Sequence, residues 1–235
     1  MNNKIKIIIG IIYIICLSTL LYYLFSNYSL SDLIDINFLK ENKKIFTKYK
    51  EQNTFFVSII FFFFSAIWIL LLGFGSVIAL AGGFIFGKWL GVFLVVTSCT
   101  VGATALYTLG LLFFKDFIES KLAPKIGKFK ILFNKNETLY FTLYRLSGGG
   151  LPFFMQNLLP VIFNMRIKNY FLATLIGLIP FGFIFSSIGA GIDKFLVKDS
   201  VNWSGLMYDP DIYIPLAGFV LVFILGIFIK KKFFK

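Results

Sequence analysis

The side chains best suited to chemistry in this sequence surround a single arginine between residues 140 and 165. Arg145 and Ser147 precede three consecutive glycines, and Gln156 and Asn157 follow them. The flanking sequence is as apolar as a membrane span, where a charged side chain is costly and usually functional. A guanidinium is a planar fork of donors that fits a phosphate. The four polar residues therefore predict a cavity that binds a substrate or a lipid headgroup.

Two interpretations of this cluster stay open at the level of sequence. Arg145 either contacts a phosphate or has a structural role. In the structural role its donors satisfy carbonyl groups freed by the glycine break, or its charged end reaches the membrane interface along its own apolar stem. Gln156 and Asn157 either line the same cavity or make hydrogen bonds within their own segment.

The segment that carries these residues is not expected to form one uninterrupted helix. Gly148, Gly149 and Gly150 each weaken a helix by roughly 1 kcal/mol relative to alanine. Pro152 and Pro160 each remove a backbone donor and clash with the preceding turn. In lipid, freed backbone groups are tolerated only where protein or a water-filled cavity covers them. The pattern predicts a re-entrant hairpin that lines a polar cavity.

The composition of the whole chain is that of a membrane protein. Of the 235 residues, 58% are hydrophobic and only 14% are charged, whereas about a quarter are charged in soluble domains. The long stretches without charge are residues 7–31, 52–87, 89–114, 146–165, 169–192 and 212–229. Since about 20 apolar residues cross a bilayer core, we predict an all-α polytopic membrane protein with about five transmembrane helices.

The sequence predicts three regions. Residues 1–52 form an N-terminal anchor helix and a connector, which is either an amphipathic interfacial helix or a solvated segment. Residues 53–195 form the main membrane domain. Residues 196–235 contain a loop, the last transmembrane helix and a basic tail.

A second glycine-dense segment, residues 75–87, resembles the one around Arg145. We interpret it as a first re-entrant hairpin, with a kinked full span as the alternative. The two segments together predict an inverted repeat of two opposed hairpins. Small residues here and beyond are expected to act as packing and turn positions that let helices approach closely. These positions are Gly82, Gly83, Gly87, Gly91, Gly102 and Gly177, with a kink at Pro180.

The charge distribution predicts the orientation and the partners. If both hairpins are re-entrant, 17 of the 23 Lys and Arg residues lie on one side and five on the other. The positive-inside rule makes the richer side, with the C-terminus, cytoplasmic. This arrangement suits a bacterial inner membrane, although Lys4 and Lys6 leave the N-terminal orientation open. The net charge of +12 is interpreted as contact with anionic lipid rather than nucleic acid, and a homo-oligomer is not excluded.

The residues absent from the sequence argue against an enzyme. The chain has no histidine, which removes histidine metal sites and serine–histidine catalysis. No acid–base pair lies in the apolar segments. We therefore expect no catalytic residues, no metal and no cofactor.

Several short motifs keep the order and spacing of one membrane family. In the first half they are AlaGlyGlyPheIlePheGly at 81–87, TrpLeuGly at 89–91 and GlyAlaThr at 102–104. In the second half they are ArgLeuSer at 145–147, ProPhePhe at 152–154, AsnLeuLeuPro at 157–160, AlaThrLeuIleGlyLeuIlePro at 173–180 and GlyAlaGly at 189–191. Across residues 53–195 the chain resembles the VTT domain of the SNARE-associated Golgi protein family, which is related to bacterial DedA proteins. The resemblance implies two opposed re-entrant hairpins and a role in lipid homeostasis, through phospholipid scrambling or lipid-carrier flipping.

The sequence departs from that family in ways that bear on mechanism. Residues 148–150 replace a proline that often follows the arginine motif, and Gly75-Ser76 stands where another proline is common. Several DedA relatives carry membrane-embedded acids tied to proton coupling, yet all eleven acids here lie outside the apolar segments. The leading expectation is a lipid translocator; the missing embedded acids argue against proton-driven antiport, while the choice between a passive and a coupled path stays open. The alternatives are a small-solute or ion carrier that uses the same cavity and a non-transporting scaffold in membrane organisation.

Overall fold

The computed structural model describes residues 3–27, 51–121, 131, 133–147 and 151–196, with scattered positions between 210 and 224. The chain divides into two compact units, Met1–Val57 and Ser58–Lys235. Three predicted features lie wholly or largely outside the described residues. They are the connector after residue 28, the glycines Gly148, Gly149 and Gly150, and the last span at residues 212–229.

Helices make up all the regular structure in the described ranges. They are α1 (Asn3–Asn27), α2 (Thr54–Leu70), α3 (Gly75–Phe86), α4 (Lys88–Lys121), α5 (Glu137–Leu146), α6 (Phe153–Leu158), a 3-10 helix (Leu159–Phe163), α7 (Ile167–Gly177) and α8 (Ile179–Leu196). The prediction of an all-α chain is confirmed.

One described helix is long and apolar enough to cross a membrane, α4 over Lys88–Lys115. A second is obtained if α7 and α8, which are bent by 41° relative to each other, are taken as one broken span. Pro180, the second residue of α8, lies directly after this bend, where a residue without an N–H group leaves the helix ladder incomplete. The count of about five transmembrane helices stays a prediction.

The first half of the larger unit folds as three helices that reverse direction twice. The ring of Phe61 in α2 lies 5.2 Å from that of Phe86, at the end of α3. A Cβ atom added at Gly91 in α4 would lie 2.7 Å from the carbonyl oxygen of Gly82, so α3 and α4 are also in close contact. Further along, Gly102 of α4 fits against the backbone of Ala66 in α2. Hence α2 and α4 run in the same direction and α3 returns between them.

The prediction of a hairpin within residues 75–87 is wrong, because Gly75–Phe86 forms one helix. The chain reverses on either side of that helix, at Leu72 with φ 65° and at Gly87 with φ 76°. Gly82 and Gly83 lie inside the helix, where they allow backbone-level contact with α4 and α8 respectively. Such contacts offset the cost of glycine in a helix, and the first hairpin is formed instead by α2 and α3.

The second half repeats this topology around a shorter return segment. At the start of α5, the Glu137 carboxylate accepts hydrogen bonds from the backbone N–H of Arg166 (3.1 Å) and the side chain of Asn169 (2.7 Å), at the start of α7. At the other end, Gly177 of α7 lies against the side chain of Arg145 in α5. Thus α5 and α7 run in the same direction. The predicted broken segment is divided into α5, α6 and the 3-10 helix, with Pro152 at the start of α6 and Pro160 buried in the 3-10 helix.

Close helix contacts hold the two halves together. Ser186 of α8 donates a hydrogen bond to the carbonyl oxygen of Ala79 in α3 (3.1 Å), and Gly83 is packed against the Ser186 backbone. α4 contacts both halves, because Gly182 of α8 lies against Val96. Through these contacts α8 lies against both α3 and α4.

Candidate functional site

Arg145 is buried, with 5% of its surface exposed, and one of its nitrogens is held by side chains from two other helical segments. Its Nη2 atom donates to Asn157 Oδ1 at 2.8 Å, to the Tyr170 hydroxyl at 3.0 Å and to Thr174 Oγ1 at 3.3 Å. The Tyr170 hydroxyl in turn donates to the Asn157 backbone carbonyl at 3.3 Å. This network fixes the position of the guanidinium through α6 and α7.

Aromatic rings surround the same guanidinium. Its central carbon lies 4.8 Å from the ring centroid of Phe141, 5.4 Å from that of Phe153 and 5.8 Å from that of Tyr170. Tyr107 of α4 stacks on Tyr170 with the rings 4.2 Å apart and nearly parallel. Cation–π attraction stabilises the charge without adding a counter-ion.

Much of the hydrogen-bonding capacity of this cluster is unused. Arg145 Nε and Nη1, and Asn157 Nδ2, are buried and have no partner among the described residues. No ion pair of Arg145 is found in that part of the chain either. Leaving a buried polar group unpaired costs about 1–3 kcal/mol, and more for a charged group. The unpaired atoms of Arg145 and Asn157 are all N–H donors, so the group that would satisfy them is an acceptor, and an anion best of all.

The burial of Arg145 argues against one form of its structural interpretation, and residues 148–150, whose carbonyl groups the other form involves, lie outside the described residues. A side chain that is 5% exposed does not extend to the membrane interface. Its hydrogen bonds within the described residues go to side-chain oxygens of Asn157, Tyr170 and Thr174, and none goes to a backbone carbonyl. The guanidinium is therefore positioned by neutral groups.

A cavity of about 300 Å³ lies beside Arg145, at the place where the helices are interrupted. Its walls come from the start of α3, the end of α5, the start of α6 and the bend between α7 and α8. The lining residues are Phe74, Gly75, Ser76, Arg145, Leu146, Leu151, Phe153, Gln156, Gly177, Leu178, Pro180, Phe181, Ile184 and Phe185. The volume is in the range of small ligand sites, which are mostly apolar with a few convergent polar groups.

The predicted cavity residues differ in where the structure places them. Arg145 and Gln156 line the cavity, and Gln156 Nε2 also donates to the Leu151 carbonyl at 2.7 Å. Asn157 lies behind Arg145, fully buried. Ser147 donates to the Tyr144 carbonyl of its own helix at 2.8 Å, so its hydroxyl is engaged locally. A role of these residues toward a substrate stays a prediction.

Sequence reasoning missed the contribution of α4 and α7. Tyr170 and Thr174 are four residues apart, so they lie on the same face of α7 and both reach Arg145. The hydroxyl of Tyr107 donates to the Met165 carbonyl and thereby supports the stacked ring of Tyr170. Two polar residues at helical spacing in an apolar span would have indicated this face.

The described residues contain no group of three or more His, Cys, Asp or Glu side chains that could hold a metal ion. The polar atoms at the site are instead those of an arginine, an amide and hydroxyl groups. This donor-rich set is suited to binding an anion rather than a cation.

Comparison with known proteins identifies the family. The model of the VTT domain matches residues 68–191, more than half of the chain and including all the helices around the cavity. The chain belongs to the VTT-domain family. As a VTT-domain protein with this composition, it is an integral membrane protein, and the resemblance noted from its motifs is confirmed.

Curated relatives extend the match beyond the domain. Transmembrane protein 41 homolog of Caenorhabditis elegans is 23% identical over 199 residues, which cover 82% of this chain and 77% of the relative. Transmembrane protein 41B of Xenopus tropicalis is 26% identical over 209 residues, covering 85% and 72%. The human protein of the same name is 25% identical over 204 residues, covering 84% and 67%. No solved structure matches this VTT-domain chain.

Proposed function

We propose that this VTT-domain protein moves lipids between the two leaflets of a membrane, with the headgroup passing through the cavity beside Arg145. The observation that supports this most is a buried guanidinium with two unpartnered nitrogens and no ion pair in the described residues, at the wall of a cavity. A headgroup phosphate supplies the acceptors that these nitrogens lack. The acyl chains stay in lipid while the headgroup crosses.

The proposed path runs between two opposed re-entrant hairpins, α2–α3 and α5–α6. With a rise of about 1.5 Å per residue, the 12 residues of α3 extend roughly 18 Å, well short of the roughly 30 Å hydrocarbon core. The return helices α3 and α6 meet at their first residues, since a Cβ at Gly75 would lie 3.3 Å from the Phe153 ring. We propose that each hairpin enters the bilayer only part of the way and that the two meet at their turns. The irregular backbone of the turns then surrounds a cavity, the kind of place where a membrane tolerates non-helical backbone.

The remaining features of the proposal follow from the charge pattern. Membrane lipids are the proposed partners, the proposed activity is not enzymatic, and we propose that the C-terminal tail lies on the cytoplasmic side of a cell membrane. None of the eleven acids lies within the long apolar segments, where a carboxylate could relay protons. We therefore propose a passive path without proton coupling. Exposed rings such as Phe63, Trp89 and Phe93, each at least 60% exposed, are proposed to face lipid.

The test is reconstitution into liposomes that carry a fluorescent phospholipid whose leaflet can be read out. The wild-type chain is expected to accelerate exchange over empty liposomes. Arg145→Met removes the proposed phosphate contact and should abolish most of that acceleration. Arg166→Met is the matched control, because it removes one exposed positive charge outside the cavity lining. A wild-type chain no faster than empty liposomes would overturn the proposal, as would equal rates for the two variants.

The cavity also supports a second candidate, a carrier for small organic anions. Its volume of about 300 Å³ and its largely apolar walls would hold a small solute without any lipid. This candidate predicts uptake of the solute into vesicles with no lipid exchange. A non-transporting scaffold predicts instead that Arg145→Met fully complements a deletion.

A further inference from the structure

The first turn of α3 opens into the cavity that Arg145 lines. Gly75 and Ser76, its first two residues, are both part of the wall. The first N–H groups of any helix have no partner within the helix. Here the residue before the helix, Phe74, provides no side-chain cap, and the first turn contains no acidic residue. The positive end of the α3 dipole therefore faces the cavity without a neutralising group from this helix.

Arg145 is an independent sign of an anion at the same place. It is 95% buried, and its Nε and Nη1 atoms have no partner among the described residues. No acidic side chain is found among the described residues that line the cavity. One formal charge and one helix dipole of the same sign thus share a small cavity, which favours the binding of an anion there.

We propose that one phosphate group binds between the Arg145 guanidinium and the first turn of α3, with the Ser76 hydroxyl as a further donor. The inference rests on the proposed function in taking the anion to be a phosphate that uses this cavity. It adds that the first hairpin supplies half of the site, whereas the sequence motifs placed the site in the second hairpin alone. The chemistry recognised is a phosphate monoester or diester, on a lipid or free in solution.

Phe153 separates the two halves of this site. Its ring lies 5.4 Å from the guanidinium carbon of Arg145 and 3.3 Å from the position of a Cβ at Gly75. Because Nε and Nη1 are buried, side chains around them must move before an anion reaches them, and Phe153 is the ring that lies against both Arg145 and the start of α3.

The test introduces a competing anion into the site. Ser76→Asp places a carboxylate on the first turn of α3, where it should interact favourably with the helix dipole and occupy the phosphate position. Thr138→Asp is the matched control, since it adds the same charge to the first turn of α5, at the opposite end of that helix from Arg145. Both full-length variants and the wild type are purified in a neutral detergent. Their thermal unfolding is followed at constant ionic strength.

Three additives separate the possible sources of the phosphate. They are inorganic phosphate, short-chain phosphatidic acid and the matching diacylglycerol, which lacks the phosphate. We expect phosphatidic acid to raise the Tm of the wild type and of Thr138→Asp by several degrees at saturation, and diacylglycerol to have no effect. Ser76→Asp should have a higher Tm without additive and should lose most of the shift. If inorganic phosphate also raises the Tm, the phosphate group alone is sufficient for binding. If only phosphatidic acid raises the Tm, the lipid part is needed as well.

Two results would overturn the inference. One is a phosphatidic acid shift in Ser76→Asp as large as in Thr138→Asp, since the first turn of α3 would then play no part. The other is a wild type that no phosphate compound stabilises. Neither result depends on lipid exchange in liposomes, so failure of this site and failure of the proposed function are distinguished.

Discussion

Gly83 offers a quantitative test of the contact between α3 and α8. A Cβ atom at this position would overlap the backbone carbonyl of Ser186. A backbone atom cannot move aside as the end of a flexible side chain can, so Gly83→Ala must push the two helices apart. The hydrogen bond from the Ser186 hydroxyl to the Ala79 carbonyl, 3.1 Å long, crosses the same contact and would lengthen.

The expected loss of stability follows from three contributions. Overpacking costs typically 1–3 kcal/mol, and a weakened hydrogen bond costs about 1 kcal/mol. Replacing a helical glycine by alanine returns roughly 1 kcal/mol. The net loss for Gly83→Ala is therefore about 2 kcal/mol, which lowers the Tm of a chain of this size by roughly 4–8 °C.

The assay is thermal unfolding of the purified chain in detergent, with two glycine controls. At Gly218 a Cβ would meet no atom within 4 Å in the described part of the chain, so Gly218→Ala should be neutral or slightly stabilising. At Gly87 there is likewise no described atom within 4 Å, but φ is +76°. Gly87→Ala should therefore lower the free energy of unfolding by about 1–3 kcal/mol through backbone strain alone, without steric crowding. If Gly83→Ala is as stable as Gly218→Ala, the close approach of α3 and α8 is refuted.

Three further substitutions test the site and its supports. Asn157→Asp would replace the amide, whose oxygen lies 2.8 Å from Arg145 Nη2, by a carboxylate. The new ion pair should raise the Tm and slow lipid exchange. An unchanged exchange rate would contradict the proposed role of the unpaired charge of Arg145. Tyr107→Phe removes the hydrogen bond to the Met165 carbonyl and should cost about 1 kcal/mol in thermal unfolding, whereas no loss would show that ring stacking alone holds Tyr170. Glu137→Gln removes the negative charge of the carboxylate that accepts hydrogen bonds from the start of α7. It should lower the free energy of unfolding by about 0.5–1 kcal/mol at low salt and by less at high salt. A loss of stability that does not depend on salt would count against a charge interaction.

The break after Arg145 was predictable because its sequence dictates the backbone directly. Two prolines and a triple glycine exclude a continuous helix whatever the surroundings are, and the described helices end and begin at Leu146 and Phe153 accordingly. Arg145 was equally visible, as a charge in an apolar segment. Asn157 shares the segment, so proximity along the chain was enough to associate it with Arg145.

The first hairpin was misplaced because glycine has two uses that the sequence does not distinguish. A glycine can permit a turn, as Gly87 does with its positive φ, or it can permit two backbones to touch, as Gly82 and Gly83 do inside α3. Only the position of the neighbouring helix decides between these uses. The absence of proline from residues 75–87 was the signal that favoured a helix there.

The remaining site residues depend on tertiary contacts between distant segments. Tyr170 and Thr174 lie 25 and 29 residues after Arg145, and they reach it because α5 and α7 run in the same direction. That direction is fixed by Glu137 at one end and by the fit of Gly177 against Arg145 at the other. Neither contact has a local sequence signature, so the spacing of Tyr170 and Thr174 indicates a polar face of α7 but not that Arg145 lies against it.

The way Arg145 is held explains how a charge can be fixed in an apolar region and still be available. A carboxylate partner would lower the cost of burying the guanidinium, but it would also neutralise the charge and occupy the donors. The neutral oxygens of Asn157, Tyr170 and Thr174 instead converge on Nη2 alone. They orient the group and leave Nε and Nη1 unpartnered within the described residues. The proposed anion site requires this combination, because a permanent counter-ion would compete with every ligand that enters.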